Sequence, residues 1–445
     1  MKKLLLIVSL SLAPALTQAA TVAFETSRDL PIVNLSIAVR EGAASDPDGQ
    51  VGISHFVGEM LLRGTKKLSK EQIDLALDQM GARLAVETRS EALILRGAVL
   101  ESELDNYLDL VKQIITEPSF PDNEIKKLKG ETISTILAEL GKDQTLAGRK
   151  FFEYLFSGHP YGKPLWGKTK DIEKLTKAQV QKHYDRLFQT KKMVILGSGS
   201  TTEEKIQKWV ASISQARPEG DAPMLVELPK EVAKRQLLIV DKPDRTQTQI
   251  LAGQIGVKMT DADYFPLYLA NHVYGGGSFQ TRLMSEIRVK RGWSYGAYSV
   301  FRHARQPRSW NFYLFPKSKD TPEALAFSLK MVEDLRQKGI SKEEFEFGKQ
   351  SLVNSAGFMY NTPEKRMENK MLELTTDLPE GFIKSYADKI DALSIDQVNK
   401  AVSKFWKPER LSVLVLCTAK ELKDQVVKNA GVAAEDVKVV AYTED

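Results

Sequence analysis

The feature that most constrains the fold of this chain is an internal repeat. The eight residues that begin at Leu175 (LTKAQVQK) recur without a gap at Leu393 (LSIDQVNK), 218 positions further along a chain of 445 residues. In each copy, Thr or Ser precedes an amphipathic helical pattern that leads into an apolar segment typical of a buried strand. Because the offset is about half the chain and only two copies are found, the sequence indicates a duplication rather than a solenoid.

Within each half, strand patterns and helix patterns are segregated rather than alternating. Residues 32–39, 83–88 and 92–99 alternate apolar and polar side chains, as half-buried strands do. Residues 100–115 and 124–140 instead carry the spacing of amphipathic helices. This order predicts the α+β class, with two homologous domains that each combine a largely antiparallel sheet with helices.

The ends of the domains are marked by composition. Residues 1–19 combine two lysines, an apolar run too short to span a membrane and small residues at the end, which is the pattern of a cleavable signal peptide. We therefore expect a periplasmic or secreted protein without a membrane anchor. We predict a first domain at residues 20–215, a linker rich in Pro, Gly and charge at 216–230, and a second domain at 231–445.

Charge and cysteine content exclude several classes of protein. The chain has 63 Lys and Arg against 58 Asp and Glu, and its net charge of +5 is spread along the sequence, so no nucleic-acid partner is expected. Cys417, the only cysteine, lies in an apolar run predicted to be a buried strand. A single cysteine excludes an intrachain disulfide and a cysteine-based zinc site.

A degenerate zinc-protease motif lies at residues 51–65 (VGISHFVGEMLLRGT). It resembles the His-x-x-Glu-His motif of the insulinase/pitrilysin family, the inverted zincins, in which two histidines bind zinc and the glutamate is the general base. Here the first ligand position is His55, the base position is Gly58 and the second ligand position is Glu59. Because glycine has no proton acceptor, this helix is not expected to hydrolyse peptides by that mechanism.

Further family-like segments support the resemblance over most of the chain. They are Arg63-Gly-Thr-Lys-Lys, His159-Pro-Tyr-Gly and Gly275-Gly-Gly-Ser-Phe-Gln-Thr-Arg-Leu. The resemblance implies two similar α/β-roll domains that face each other like a clamshell.

The second half contains an arginine–tyrosine element similar to that of the family. Arg288 and Tyr295 match its residue types and its spacing of seven. The resemblance implies that these two side chains face the scissile peptide and act as the catalytic residues of this chain. A guanidinium and a phenol hydroxyl can bind the substrate carbonyl and stabilise the oxyanion that forms during hydrolysis.

The glycine run just before this element has two interpretations. Gly275, Gly276 and Gly277 form a helix cap and turn at the rim of the cleft, which we favour, or they leave room for an extended peptide to approach the backbone. Together with Ser278 they are the candidate substrate-binding residues.

The spacing of His55 and Glu59 is compatible with a residual metal site or with a packed helix. His55 and Glu59 are spaced i and i+4 and could contact one metal, and the family's third ligand is a glutamate roughly 70–80 residues downstream. Glu131 and Glu139 fall near that range, but neither matches the pattern cleanly. We therefore expect no metal on this chain and a packed His55. His183, on the repeated helix, is predicted to lie on the surface.

The sequence is compatible with three functions. The first, which we favour, is the substrate-binding and oxyanion-stabilising subunit of a heterodimeric zinc metallopeptidase, active only with a homologous partner that carries the zinc and the general base. The second is a non-catalytic peptide-binding or assembly protein derived from the peptidase fold. The third is an unusual metallopeptidase that acts alone. The retained Arg288 and Tyr295 favour the first over the second.

Overall fold

The structure is a computed structural model that describes residues 20–277 and 279–444. The elements of the first half are β1 (Thr21–Thr26), β2 (Ile32–Val39), α1 (Ile53–Leu61), α2 (Lys70–Gln79), β3 (Arg83–Thr88), β4 (Leu93–Leu100), α3 (Leu104–Thr116), α4 (Asp122–Leu140), α5 (Asp143–Leu155), α6 (Thr169–Lys174), α7 (Lys177–Leu187), β5 (Met193–Gly199) and α8 (Glu203–Ala216). Residues 217–235 contain neither helix nor strand. The signal peptide predicted at residues 1–19 lies outside the described residues.

The second half follows the same order of elements. They are β6 (Gln236–Asp241), β7 (Gln249–Ile255), α9 (Tyr264–Asn271), β8 (Ala297–Phe301), β9 (Ser309–Leu314), α10 (Thr321–Lys338), α11 (Lys342–Ala356), α12 (Pro363–Thr375), α13 (Tyr386–Asp391), α14 (Ile395–Phe405), β10 (Ser412–Cys417), α15 (Ala419–Ala430) and β11 (Val437–Ala441). Two π-helical turns, His272–Gly276 and Met284–Val289, lie between α9 and β8.

The two sheets share one topology. The first has the order β1-β5-β2-β4-β3, and the second has the order β6-β10-β7-β9-β8 with β11 added beyond β6. In both, the first pair is parallel and the remaining shared pairs are antiparallel. The α+β prediction is confirmed, and the buried Cys417 lies in the central strand β10 as expected.

The repeated sequence corresponds to α7 and α14 and the strands that follow them. Each helix begins with a reciprocal cap, in which Thr176 exchanges hydrogen bonds with Gln179 and Ser394 does so with Gln397. These caps satisfy backbone N–H groups that the first helical turn leaves unpaired. The strands after them, β5 and β10, are buried along their whole length.

Each half of the chain covers one face of the other half's sheet. Helices of the first half pack on one face of the first sheet, while Met371 of α12 lies against Ala38, Ile94, Val194 and Leu196 on the other face. In the same way α5 of the first half packs on β7 and β10 of the second sheet. The exchange buries apolar side chains between the halves and locks them together.

One prediction about the repeat helix is wrong. His183 of α7 is only 4% exposed, and its Nε2 lies 2.8 Å from the hydroxyl of Ser54 on α1. It faces α1 because α7 packs directly on that helix.

Among the described residues, no helix is both long enough and apolar enough to cross a lipid bilayer.

Candidate functional site

Helix α1 carries the degenerate motif and is held in the core from its first residue. The carboxylate of Asp46 accepts hydrogen bonds from the backbone N–H groups of Gly52 (2.7 Å) and Ser54 (3.1 Å) and so caps the helix. Gly52 itself has φ 99°, in the left-handed region that favours glycine. Burial raises the pKa of Asp46 to about 6.

His55 is a packed residue. It is 6% exposed, its Nδ1 lies 3.3 Å from the hydroxyl of Thr88 on β3, and its Nε2 has no hydrogen-bond partner among the described residues. Trp166, from the loop before α6, covers the ring with centroids 4.2 Å apart. Burial lowers the pKa of His55 to about 4, so the imidazole is neutral at pH 7.

The base position is filled by neighbouring side chains. A Cβ atom at Gly58 would lie 2.7 Å from both Val86 Cγ1 and Leu93 Cδ1, closer than real carbon contacts allow. The strands β3 and β4 therefore occupy the space in which a catalytic glutamate would lie. This geometry agrees with the absence of a proton acceptor at this position.

A guanidinium lies among the acidic residues near the motif. Arg63 pairs with Glu124 (3.1 Å) and with Glu131 (2.5 Å), both on α4. Burial raises the pKa of Glu59, the Arg63 charge opposes that rise, and the Glu131 charge adds to it. The structure thus brings Glu59 and Glu131 into one electrostatic cluster, and Arg63 compensates its charge.

Glu139, the other candidate ligand, lies elsewhere. It is 3.9 Å from Arg149 of α5. In the described part of the chain, no group of three or more His, Cys, Asp or Glu side chains is arranged to hold a metal ion.

The structure brings Arg288 and Tyr295 together. The guanidinium carbon of Arg288 lies 4.1 Å from the centroid of the Tyr295 ring and 4.7 Å from that of Phe279. Tyr295 is 75% exposed. We call these three residues the arginine–tyrosine cluster.

Neighbouring arginines differ from Arg288 in their partners. Arg282 forms a two-pronged ion pair with Glu344, and Arg291 pairs with Glu286 at 2.6 Å. Arg288 has no carboxylate partner within the described ranges. Its charge is therefore available to a ligand in a way that those of Arg282 and Arg291 are not.

The first residue of the glycine run, Gly275, lies where close packing leaves no room for a side chain. Gly275 is buried, and a Cβ there would lie 2.7 Å from the backbone nitrogen of Ser299 in β8 and 2.5 Å from Leu283. Gly276 is exposed, and a Cβ there would lie 2.5 Å from the Asn271 amide; at Gly277 it would lie 3.0 Å from the carbonyl oxygen of His272. Ser278 lies outside the described residues.

No hydrogen bond, ion pair or ring contact joins the arginine–tyrosine cluster to His55 or Glu59 among the described residues. The turn between β3 and β4 meets the turn between β8 and β9, where Glu91 Oε2 accepts a hydrogen bond from the Arg305 backbone N–H at 2.8 Å. His55 touches the end of β3, near this meeting point. Tyr295 lies before the start of β8, roughly 20 Å of extended chain from the turn that follows that strand.

Strand β3 presents an open edge beside the motif. It is the last strand of its sheet. Alternate residues of β3 pair with β4, so the N–H and C=O groups of Leu84, Val86 and Thr88 point away from β4, toward the outer edge of the sheet. None of these groups has a partner among the described residues. The sequence predicted this strand but gave no sign that its outer edge is uncovered.

Comparisons with known proteins are consistent with this geometry. The sequence model for insulinase (peptidase family M16) matches residues 21–169, and that for the peptidase M16 inactive domain matches residues 174–352. The chain belongs to peptidase family M16. The resemblance found in the sequence is thereby confirmed.

Curated relatives of this M16 chain are distant in sequence but match most of its length. A Helicobacter pylori protein named non-peptidase homolog YmxG is 23% identical over 404 residues, which cover 90% of this chain and 93% of that protein. A Rickettsia bellii protein named as an uncharacterized zinc protease is 23% identical over 323 residues, covering 71% of this chain and 77% of that protein.

Solved structures show the same fold. A peptidase M16 inactive domain from Pseudomonas fluorescens superimposes with a TM-score of 0.83 at 23% identity and covers 89% of this chain and 95% of its own. A protease from Helicobacter pylori gives a TM-score of 0.80 at 16% identity, covering 90% and 98%. This M16 chain is thus a peptidase-like protein of the family's two-domain fold.

Proposed function

We propose that this M16 chain is a non-catalytic protein that binds extended peptide segments. The observation that carries the proposal is the open edge of β3 beside a motif in which catalytic chemistry has been replaced by packing. An added peptide strand gains main-chain hydrogen bonds to such an edge, while its side chains provide specificity.

The environment of β3 favours a bound strand rather than a chemical step. Leu84, Val86 and Thr88 offer three outward N–H and C=O groups in register along one edge. On the adjacent helix α1, His55 is neutral and covered by Trp166, and Gly58 has no side chain. A peptide paired to this edge would therefore meet no general base from the motif.

The proposal is tested with the purified mature chain and a soluble ten-residue peptide of alternating Ser and Val that carries an N-terminal dansyl group. Binding is measured by fluorescence anisotropy. Two further peptides carry N-methyl groups on alternate residues, one on the odd positions and one on the even positions. Because only one set of N–H groups can face β3, one methylated peptide should lose at least about tenfold in affinity while the other keeps it. Equal affinity of both methylated peptides would show that no strand is added.

A second function is favoured by the arginine–tyrosine cluster. Arg288 lacks a carboxylate partner in the described residues and Tyr295 is exposed, so both could face a substrate held by another chain. We propose, as the alternative, that this chain supplies oxyanion donors to a homologous subunit that carries zinc and the general base. Among the described residues no contact joins the cluster to His55, which fits a site completed by a second chain.

This alternative has its own test. A mixture with a zinc-bearing M16 chain should cleave peptides, whereas each chain alone should not. Arg288→Ala and Tyr295→Phe should lower kcat over KM by roughly 10²–10³. Arg336→Ala is the control, because Arg336 pairs with Glu409 on the surface. Full activity of the two cluster variants in an active mixture would reject the oxyanion role.

Location, cofactor and partners follow as parts of the same proposal. The amino-terminal pattern at residues 1–19 supports processing and release into the periplasm or beyond. Zinc is assigned to the partner rather than to this chain, and the heterodimer is required only by the alternative.

A further inference from the structure

A cleft of about 440 Å³ lies where the two halves meet. The turn between β3 and β4 forms one wall, and the turn between β8 and β9 forms the other. Leu165 adds an apolar side chain next to Trp166, the residue that covers His55. The open edge of β3 ends at this cleft, because its last residue, Thr88, immediately precedes the lining residues Arg89 to Ala92.

Two arginines in the cleft form no salt bridge among the described residues. Arg302 lies with its guanidinium carbon 4.8 Å from the centroid of the Phe152 ring. Arg308 donates from Nη1 to the carbonyl oxygen of Tyr161 at 3.3 Å and stacks on the ring of the same residue at 4.5 Å. Burial lowers the pKa of Arg308 to about 10, which still leaves it charged at pH 7. Aromatic rings pack against both cations, and the charge of the Glu91 carboxylate also attracts Arg308.

The other charges around the cleft leave a positive excess. Arg89 is paired with Glu87 at 2.5 Å, and Arg305 lies 3.4 Å from Asp377. His303 is neutral, because burial lowers its pKa to about 4. The remaining anion is Glu91, which offsets one of the two unpaired arginines.

Glu91 also offers a hydrogen-bond acceptor. It is 8% exposed, and its Oε2 accepts from the Arg305 backbone N–H, whereas its Oε1 is buried without a partner in the described part of the chain. A cavity wall with two guanidinium groups that form no salt bridge and one carboxylate oxygen without a hydrogen bond suits a ligand that combines an anion with an N–H donor. A peptide residue with a carboxylate has both.

We propose that this cleft binds a carboxylate group of the peptide that pairs with β3, with Arg302 and Arg308 as its cationic partners. The inference rests on the proposed peptide-binding function and names its ligand class. Hydrogen bonds between guanidinium and carboxylate are charge-assisted and can be bidentate, so they are stronger than those between neutral groups. The carboxylate comes from the peptide C-terminus or from an Asp or Glu side chain, and the site itself requires only the shared chemistry.

The experiment uses the full mature chain and three dansyl peptides of alternating Ser and Val. One ends in a free carboxylate, one ends in an amide, and one ends in an amide with an Asp at the penultimate position. Free acid binding at least about tenfold tighter than the plain amide supports a carboxylate site. Recovery of affinity by the Asp peptide assigns the site to acidic side chains, and no recovery assigns it to the C-terminus.

Arginine variants locate the site. Arg302→Gln should reduce the preference for carboxylate over amide by about tenfold while the amide peptide binds as before. Arg308→Gln is a second variant, and Arg28→Gln, on the exposed connection between β1 and β2, is the matched control. Arg302 is the decisive position because the residue is exposed, so its loss should leave the fold intact.

The outcomes separate the two proposals. Equal binding of acid and amide peptides, or an unchanged preference in Arg302→Gln, would overturn the carboxylate site and leave peptide binding in place. Failure of all three peptides to bind would overturn both the site and the proposed function.

Discussion

The indole of Trp166 packs against the imidazole of His55, with ring centroids 4.2 Å apart and planes inclined by 59°. His55 occupies the first ligand position of the family motif, yet its free nitrogen faces no hydrogen-bond partner in the described residues. His55 is thus a residue type that can bind a metal, yet it lies against an apolar ring and is uncharged at pH 7.

Trp166→Ala should expose the His55 ring to water. Because burial alone lowers the pKa of His55 to about 4, the pKa should rise toward the ordinary value of about 6.5. Histidine NMR titration measures the change directly. Leu165→Ala is the control, since Leu165 is adjacent and does not stack on the ring; an unchanged His55 pKa in Trp166→Ala would mean that other groups cause the desolvation.

Gly58→Glu should restore the residue type of the general base without restoring peptide hydrolysis. The new side chain must displace Val86 and Leu93, so the free energy of unfolding should fall by about 1–3 kcal/mol. Urea denaturation measures the loss. Gly130→Ala on exposed α4, where a Cβ meets nothing within 4 Å, should instead raise stability by about 0.5–1 kcal/mol. A stable and active Gly58→Glu protein would contradict the packing argument.

Arg63→Met should be strongly destabilising at pH 7. The substitution leaves the buried Glu124 carboxylate without its cation, and breaking such a pair costs about 3–5 kcal/mol. Urea denaturation tests this, and Arg336→Met, which removes an exposed pair with Glu409, should change stability by less than about 1 kcal/mol.

Buried histidines should make the fold less stable in mild acid. The pKa of His55 is about 4 and that of His183 about 3, both lowered by burial, so the unfolded chain binds their protons first as the pH falls below 6.5. Asp46 acts in the opposite sense, because burial raises its pKa to about 6 and the folded state takes up that proton first. His303 acts like His55 and His183, because burial lowers its pKa to about 4. Between pH 6 and 4 the unfolded chain therefore binds three histidine protons against the one that the folded state holds on Asp46, and stability falls by up to about 2.7 kcal/mol per pH unit.

Substitution of His55 isolates its part of this pH dependence. His55→Gln should reduce the loss of unfolding free energy between pH 7 and pH 5 by about 2 kcal/mol, as measured by urea denaturation. His159→Gln changes a partly exposed histidine and serves as the control. An identical pH dependence in His55→Gln and the unsubstituted protein would show that His55 takes up its proton equally in both states.

Local pattern was sufficient for the elements of the fold. Strands β2 and β3 begin and end where the alternation of side chains predicted, and the repeated caps at Thr176 and Ser394 mark the start of α7 and α14. These features depend on residues close in sequence, so spacing alone reveals them. The surface position predicted for His183 was wrong because its neighbour, Ser54, lies 129 residues away.

Residue spacing and motifs were enough to predict the duplication, the α+β class, the resemblance to the insulinase/pitrilysin family and the loss of the general base at Gly58. The contacts that replace the zinc chemistry are visible only in the folded chain: Trp166 over His55, Arg63 between Glu124 and Glu131, and the cationic cleft between the two halves. The physical reason is that burial and charge compensation depend on contacts between distant segments. A periodic pattern determines which face of an element is apolar, whereas packing determines which residue meets it.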